Sequence, residues 1–228
     1  MSEKEEIMMD NVKNLGLVLL DARRLNRLWR WPGLHIMGDI RPSVAAHSFT
    51  VMQTAQLLGK IEETEFGTRI DWKSLYEKAL NHDFLEAYTG DIKGPVKNHD
   101  PEVKRRIEEL ENIFAHHYLY KRLSPTYASI YKEVFTNGKD DTIEGQILKA
   151  SDIIDLIIES LCEIIAGNPT KEFLDAYVDG LVKLKKIPLK SVNVFLTVTI
   201  YELLDASTVP FGIREMTKQL LDNDSNDD

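Results

Sequence analysis

The spacing of the apolar residues is the strongest constraint on what this chain can fold into. Over most of its length they recur every three or four positions, the period of one face of an α-helix. The first segment shows the pattern at alternating spacings of four and three: Met8, Val12, Leu15, Leu19 and Ala22. It predicts a helix over about residues 7–28, ending before Trp31-Pro32-Gly33.

The same period predicts helices along the rest of the chain. Ser43 and Asp71 are candidate N-caps for the second and third helices. The predicted helices cover about residues 44–63, 71–88, 101–121, a shorter stretch after Ser124-Pro125, 142–166, 170–186 and 188–206. Residues 191–201 are rich in β-branched side chains, but a lone strand would have no partner, so we assign them to a helix. The fold class predicted is all-α.

The organisation predicted is one helical domain. The chain has 228 residues, enough for one well-filled hydrophobic core, and no internal repeat, low-complexity linker or clear boundary interrupts it. We therefore expect a single domain over residues 1–210, followed by a C-terminal tail over 211–228 whose end is disordered.

Composition excludes several classes of function. The net charge is -9 and no block of Lys and Arg is present, so a nucleic-acid-binding module is not expected. An acidic protein still binds a small phosphate when a metal and a few basic residues make the local field positive. The single cysteine, Cys162, lies in an apolar run and is predicted to be a buried hydrophobe. Without a signal peptide or a membrane-spanning apolar run, a cytoplasmic location is expected.

Four residues carry the possible metal chemistry: His47, the adjacent pair His82-Asp83, and Asp152. Imidazole nitrogen and carboxylate oxygen are ligands of first-row divalent metals, and two of each leave positions open for water and substrate. Successive residues on a helix point about 100° apart. Two adjacent side chains therefore reach one ion only near a helix end or where the ion lies directly over the helix. The turn-forming segment 89–101 follows closely, which is consistent with a helix end at a pocket.

Taken alone, these residues allow plainer interpretations. A His-Asp dipeptide is usually a solvated surface feature, and without the other ligands Asp152 is better explained as a helix-entry or surface residue. The apolar context favours a site, because His82-Asp83 lies between Leu80 and Phe84 and Asp152 lies in one of the most hydrophobic helices. A buried carboxylate costs several kcal/mol unless a partner neutralises it, and a metal is one such partner.

The order H…HD…D, with the ligands separated by helices, resembles the HD phosphohydrolase superfamily. Three longer stretches narrow the resemblance: Arg30-Trp31-Pro32, Ala46-His47-Ser48 and HDFLEAYTGDIKGPVK at residues 82–97. They are similar to the bacterial HD-domain 5'-deoxyribonucleotidases (YfbR-like), which remove phosphate from deoxyribonucleoside 5'-monophosphates. The likeness covers roughly residues 25–165. It implies a single-domain helical bundle of the HD type with a metal site in its core.

The resemblance also implies roles for individual residues. The metal ligands would be His47, His82, Asp83 and Asp152. Glu86 matches the catalytic carboxylate, Arg30 and Trp31 match a pair that contacts substrate, and Asp91 matches an acidic residue beside the sugar. From its residue type alone, Lys97 is a further candidate for binding phosphate. The ligand set accepts one divalent transition metal, whether Mn, Co, Fe, Ni or Zn.

Each of these roles has a structural alternative. Glu86 is also explained as a solvated residue at a helix end, and Arg30 as a surface charge in a basic run. Trp31 is equally a packed aromatic, and turn formation accounts for Asp91 nearly as well as a contact with the sugar. Ala46 stands where the family usually has Glu, which leaves the ligands in place but bears on the substrate.

The predicted function is metal-dependent hydrolysis of (deoxy)ribonucleoside 5'-monophosphates. One alternative keeps the metal site but acts on nucleoside triphosphates or another small phosphomonoester. Another is a non-catalytic helical binding protein. The expected partner is a small nucleotide, with no nucleic acid and no membrane, and the family likeness implies a homodimer.

Overall fold

The computed structural model describes residues 2–38, 41–92, 94–97, 100–136, 138–206, 208–210 and 212–222. The described residues form helices and connecting turns, with no β-strand, and the all-α prediction is confirmed. The helices are α1 (Glu3–Asn11), α2 (Gly16–Arg24), α3 (Val44–Phe66), α4 (Trp72–Asn81), α5 (Glu86–Thr89), α6 (Gly94–Lys97), α7 (Pro101–Tyr118), α8 (Pro125–Thr136), α9 (Ile143–Ile165), α10 (Lys171–Lys185), α11 (Lys190–Val194), α12 (Ile200–Ala206) and α13 (Ile213–Asp222).

The first predicted helix is not continuous, so the prediction of one helix over 7–28 was wrong. The chain leaves helical geometry between α1 and α2, where Asn14 has a φ of 66°. Asparagine tolerates this left-handed conformation better than most residues. Its side-chain amide also donates to the carbonyl oxygen of Arg122 at 2.8 Å, which holds the turn in place.

Two predicted caps and one predicted helix are confirmed. Ser43 Oγ accepts a hydrogen bond from the Ala46 amide at 3.2 Å, and Asp71 Oδ1 accepts one from the Ser74 amide at 3.1 Å. Both bonds satisfy amides that have no partner within their helix. The β-branched stretch is helical, with a π-helical segment at Phe195–Thr199 between α11 and α12.

The contacts group the chain into two compact units. The first unit comprises residues 1–34, 41–49 and 80–138, and the second comprises 35–40, 50–79 and 139–228. Among the described residues of the first unit, one hydrophobic cluster is buried: Leu25, Val44, Phe84, Leu85, Ala115, Leu119, Tyr120, Leu123 and Phe135. The rings of Phe84 and Phe135 stack with centroids 4.1 Å apart, which anchors the segment that follows α4.

The second unit is built on the packing of α9 against α10. Gly180 allows these helices to approach closely, because a Cβ there would lie 2.6 Å from Ile157 Cγ1. Helix α13 packs on α10, where the hydroxyls of Tyr177 and Thr217 lie 2.7 Å apart. The segment expected to be a tail therefore contains a helix, while residues 223–228 lie outside the described residues. The single-domain assignment of 1–210 remains a prediction.

Cys162 corrects one further expectation. It lies on α9 but is exposed, so its prediction as a buried hydrophobe was wrong. Helix α9 buries one face, and Cys162 lies on the opposite side, where an apolar neighbour in sequence does not ensure burial. Among the helices within the described ranges, none is long and apolar enough to cross a membrane.

Candidate metal centre

The segment between α4 and α5 brings the His-Asp pair to a helix end. Helix α4 stops at Asn81, and the backbone then changes to bonds between residues three apart: the Phe84 amide donates to Asn81 and the Glu86 amide to Asp83, at 3.0 and 3.1 Å. The prediction of one helix over 71–88 was therefore wrong, because the chain forms α4 and α5 with a turn between them. In such tightened turns, side chains three residues apart eclipse one another. Asp83 and Glu86 consequently lie on the same side of the chain.

Three donor atoms converge at this point. The Nε2 atoms of His47 and His82 lie 3.2 Å apart. Asp83 Oδ2 lies 3.4 Å from the first and 3.1 Å from the second. The two imidazole side chains are almost fully buried, whereas the Asp83 side chain is 15% exposed. His47 reaches the group from the first turn of α3, which Ser43 caps.

The spacing of the three atoms fits one divalent metal ion. Bonds of about 2.0–2.2 Å at octahedral or tetrahedral angles place neighbouring donors roughly 2.8–3.6 Å apart. All three observed separations fall in this range. The donor chemistry also suits a transition metal, because imidazole nitrogen and carboxylate oxygen are its usual ligands. His47, His82 and Asp83 therefore form a group able to hold such an ion.

Glu86 lies beside this group in an unusual state for a carboxylate. Its side chain is buried, and among the described residues its Oε2 atom has no hydrogen-bond partner. Burial, together with the charges of Asp83 and Asp91, raises the pKa of Glu86 well above its ordinary value, while Lys97 and Arg30 oppose the shift. A buried carboxyl with a raised pKa can exchange a proton near neutral pH.

Arg30, Asp91 and Lys97 are near enough to this cluster to affect its titration. Burial raises the pKa of Asp91, with the charge of Arg30 opposing the shift and that of Asp83 adding to it. Burial lowers the pKa of Lys97, but the Glu111 carboxylate outweighs it and the net pKa is raised. The Lys97 ammonium donates to Glu111 Oε1 at 2.8 Å. Within the described part of the first unit, Arg30 and Lys97 thus place positive charge near the three donors and Glu86.

The segment that carries Arg30 and Trp31 is attached to the start of α3. The Arg30 amide donates to Pro42 O at 2.9 Å, and the Val44 amide donates to Leu28 O at 2.8 Å. These bonds flank an isolated antiparallel bridge between Trp29 and Ser43. His47 lies one turn after Ser43. These main-chain bonds therefore attach the segment of Arg30 and Trp31 to α3, the helix that supplies the candidate metal ligand His47.

Asp152 lies in the second unit, near the beginning of α9. Its Oδ2 atom accepts a hydrogen bond from Lys139 Nζ at 2.5 Å, and its side chain is 26% exposed. The carboxylate is therefore partly buried and balanced by a cation from its own unit. Its role as the fourth metal ligand remains a prediction.

The family model described as 5'-deoxynucleotidase YfbR-like matches residues 19–203. This range includes both His residues of the donor group, Asp83, Glu86 and Asp152. The chain belongs to this family. The resemblance seen in the sequence motifs is confirmed, and the chain is a hydrolase of the HD-domain class.

Relatives of this YfbR-like chain carry the same family name. A 5'-deoxynucleotidase of Photorhabdus laumondii is 30% identical over 146 residues, which are 64% of this chain and 72% of the relative. A 5'-deoxynucleotidase of Erwinia tasmaniensis is 30% identical over 154 residues, 67% of this chain and 75% of the relative.

Solved structures agree with the fold of this YfbR-like chain. An HD-domain phosphohydrolase from Listeria innocua superposes with a TM-score of 0.81 at 32% identity, covering 92% of this chain and 99% of that one. The cyanophage S-2L HD phosphohydrolase DatZ, bound to dA and one catalytic Zn²⁺ ion, superposes with a TM-score of 0.58 at 18% identity, covering 82% of this chain and 96% of that one. At that identity, the second likeness shows the fold alone.

Sequence reasoning did not identify two residues of this region of the YfbR-like fold. Glu111 lies in a charged helix, where nothing in its spacing distinguishes the partner of Lys97 from its solvated neighbours. Arg41 binds main-chain oxygens of the segment that carries Arg30. Every residue offers such an oxygen, so this contact leaves no signature in the sequence.

Proposed function

We propose that this chain removes phosphate from nucleoside 5'-monophosphates, with a preference for deoxyribonucleotides, in a reaction that requires one divalent transition metal. The observation that carries the proposal is the convergence of His47, His82 and Asp83 donor atoms near Glu86, whose buried Oε2 atom has no hydrogen-bond partner within the described ranges. The activity named for the family and for its relatives supports the substrate class, and the imidazole and carboxylate donors support a transition metal.

The metal would be held by His47, His82 and Asp83, with Asp152 as the proposed fourth ligand. When bound, the ion supplies positive charge beside a phosphoryl oxygen and a water of lowered pKa. The two His residues would provide uncharged donors, so the carboxylates of Asp83 and Asp152 would together match the formal charge of a divalent ion. The rest of the chemistry falls to side chains around this group.

Glu86 is the proposed catalytic residue. Its carboxylate accepts the proton of the attacking water as the oxygen adds to phosphorus. The bond from phosphorus to the 5'-oxygen breaks, and the proton returns from Glu86 to that leaving oxygen. Its raised pKa suits this exchange, because a carboxylate with a higher pKa is a stronger base toward the attacking water. The placement of Glu86 on the same side as Asp83 brings this proton to the metal group.

The remaining predicted residues bind substrate in this proposal. Arg30 donates the fork of its guanidinium to phosphate oxygens, and Trp31 forms a wall for the base or sugar. Asp91 accepts a hydrogen bond from a sugar hydroxyl. Lys97 donates one of its three N–H groups to Glu111, and the other two remain for phosphate oxygens.

Release of phosphate tests the proposal directly. A panel of ribo- and deoxyribonucleoside mono- and triphosphates is incubated with Mn²⁺, Co²⁺, Zn²⁺, Mg²⁺ or EDTA. Orthophosphate released from deoxyribonucleoside monophosphates, and abolished by EDTA, is the expected result. Tripolyphosphate released from triphosphates would instead move the substrate to the triphosphate class. No release from any nucleotide would contradict the proposed substrate.

We further propose that the protein is a cytoplasmic homodimer. The family likeness supports the dimer, and Val182 and Val198 leave apolar side chains exposed in the C-terminal helices. Light scattering coupled to size-exclusion chromatography checks the assembly: the mass of one 26.1 kDa chain would contradict it.

A further inference from the structure

Trp31 adopts a backbone conformation that its side chain disfavours. Its φ is 57°, in the left-handed region, where the Cβ of a residue other than glycine comes too close to the carbonyl oxygen that follows it. A bulky residue in this region is uncommon and persists only when surrounding contacts hold it there. Pro32 follows, and the Leu34 amide closes the turn by donating to Trp31 O at 3.1 Å.

The guanidinium of Arg41 binds the carbonyl groups on both sides of this residue. Its Nε donates to Arg30 O at 3.1 Å, and its Nη2 donates to Trp31 O at 2.6 Å. The first oxygen belongs to the peptide plane that precedes the Trp31 Cα, and the second to the plane that follows it. The angles φ and ψ of Trp31 describe the relative orientation of those two planes. One rigid guanidinium bound to both therefore holds the conformation of Trp31.

From these contacts we infer that Arg41 is a positioning residue for nucleotide binding, which acts by holding the strained segment that carries Arg30 and Trp31. The inference rests on the proposed function, in which these two side chains bind the substrate. The segment is held on one side by the Arg30 amide, which donates to Pro42 O, and on the other by Arg41.

Lysine is the informative substitution at this position. It keeps the positive charge and the aliphatic stem, but its ammonium is a point donor that cannot reproduce the fixed fork of the guanidinium. Arg41→Lys should therefore raise KM for a deoxyribonucleoside monophosphate roughly tenfold, the size expected for loss of one charge-assisted hydrogen bond. We expect kcat to change much less, because the segment contributes mainly to substrate binding. Arg69→Lys, at an exposed position, is the matched control and should leave KM unchanged.

Hydrogen exchange of the metal-loaded protein, without nucleotide, gives a readout independent of turnover. The Leu34 amide donates to Trp31 O, so its exchange should accelerate in Arg41→Lys. The Val44 amide, bonded to Leu28 O, should exchange as in the wild type. Unchanged affinity for Zn²⁺ would show that the variant is folded and that its donor group is intact.

The outcomes separate the two proposals. An active wild type, with an Arg41→Lys variant of unchanged KM or unchanged Leu34 exchange, overturns the inference and leaves the proposed function standing. A wild type that hydrolyses no nucleotide overturns the proposed function, and with it the link from Arg41 to nucleotide binding. Faster Leu34 exchange together with a raised KM supports the inference.

Discussion

The carboxylates of Asp83 and Asp152 lie in contrasting surroundings, one in each unit. Asp83 Oδ2 is 3.1 and 3.4 Å from imidazole nitrogens, which bind metals in their neutral form. Asp152 Oδ2 is 2.5 Å from the ammonium of Lys139, which already balances its charge. The first carboxylate belongs to a group of converging donors, and the second to an ion pair within its own unit.

This contrast indicates different energetic roles for the two proposed ligands. The imidazoles beside Asp83 are neutral when they bind a metal. A bound metal ion would therefore be the positive charge beside this carboxylate, and its binding is strongly favoured. At Asp152, a metal ion must compete with Lys139. Because the ion pair between Lys139 and Asp152 is lost when the metal binds, the net binding free energy from this ligand is smaller. Removing Asp83 should therefore be more damaging than altering the surroundings of Asp152. The following predictions test that difference and the separate role of Glu86.

The largest effect is expected for Asp83→Ala. Loss of a neighbour that merely supports a metal ligand typically weakens metal affinity about 10–100-fold, so loss of a ligand itself should exceed this range. We expect the variant to retain no metal and to hydrolyse no nucleotide. Metal analysis after gel filtration and an assay of phosphate release measure these two properties. Asp175→Ala, at an exposed position of α10, is the control. Normal metal content in Asp83→Ala would remove Asp83 from the ligand set.

Glu86→Gln should separate chemistry from metal binding. The amide keeps the shape of the side chain but cannot accept the proton of water, so kcat should fall by roughly 10²–10⁴. Metal content should remain that of the wild type, because the three donor atoms are untouched. The measurements are kcat and metal stoichiometry on the same preparation. If the variant instead lost its metal, Glu86 would be a ligand or its support, and the acid–base role would be wrong.

A smaller effect, in the opposite direction, is expected for Lys139→Met. The substitution removes the cation that pairs with Asp152 while keeping an unbranched side chain of similar length. If Asp152 is a ligand, affinity for Zn²⁺ should rise several-fold, as expected when a partly exposed ion pair no longer competes. Titration calorimetry measures this, with Lys149→Met on the exposed face of α9 as the control. A decrease in affinity would show that Lys139 orients Asp152 rather than competing for it.

The smallest effect concerns stability of the metal-free protein. The pKa of Glu86 is raised above its ordinary value of 4.5 by burial and by Asp83 and Asp91. The folded state therefore favours the protonated form, and the resulting stability is present below pH 4.5 and lost as the pH rises through the folded-state pKa. Glutamine does not ionise. In EDTA, Glu86→Gln should thus raise Tm relative to the wild type more at pH 8 than at pH 4, and an equal difference at both would contradict the shift.

Local interactions explain most of the successful predictions from sequence. The apolar period located the long helices α3, α9 and α10, and side-chain type identified Ser43 and Asp71 as caps. Both signals depend on residues within about one turn of one another. The breaks after Asn11 and Asn81 were missed because the apolar period continues across them. Each break is set by backbone geometry, and the first is also held by a contact with Arg122.

Residue chemistry by itself determined the all-α class, the family and the candidate donors His47, His82 and Asp83. Only the tertiary structure decided that the Nε2 atoms of two His residues, separated by 35 positions, lie 3.2 Å apart. It also decided that Lys97 pairs with Glu111 and that the Arg41 guanidinium donates to the carbonyl oxygens of Arg30 and Trp31. The physical reason is that the apolar period of a helix and its capping depend on residues close together in sequence. The convergence of distant side chains on one site depends on how the segments that carry them pack. A main-chain oxygen is present at every residue, so only packing determines which one a side chain binds.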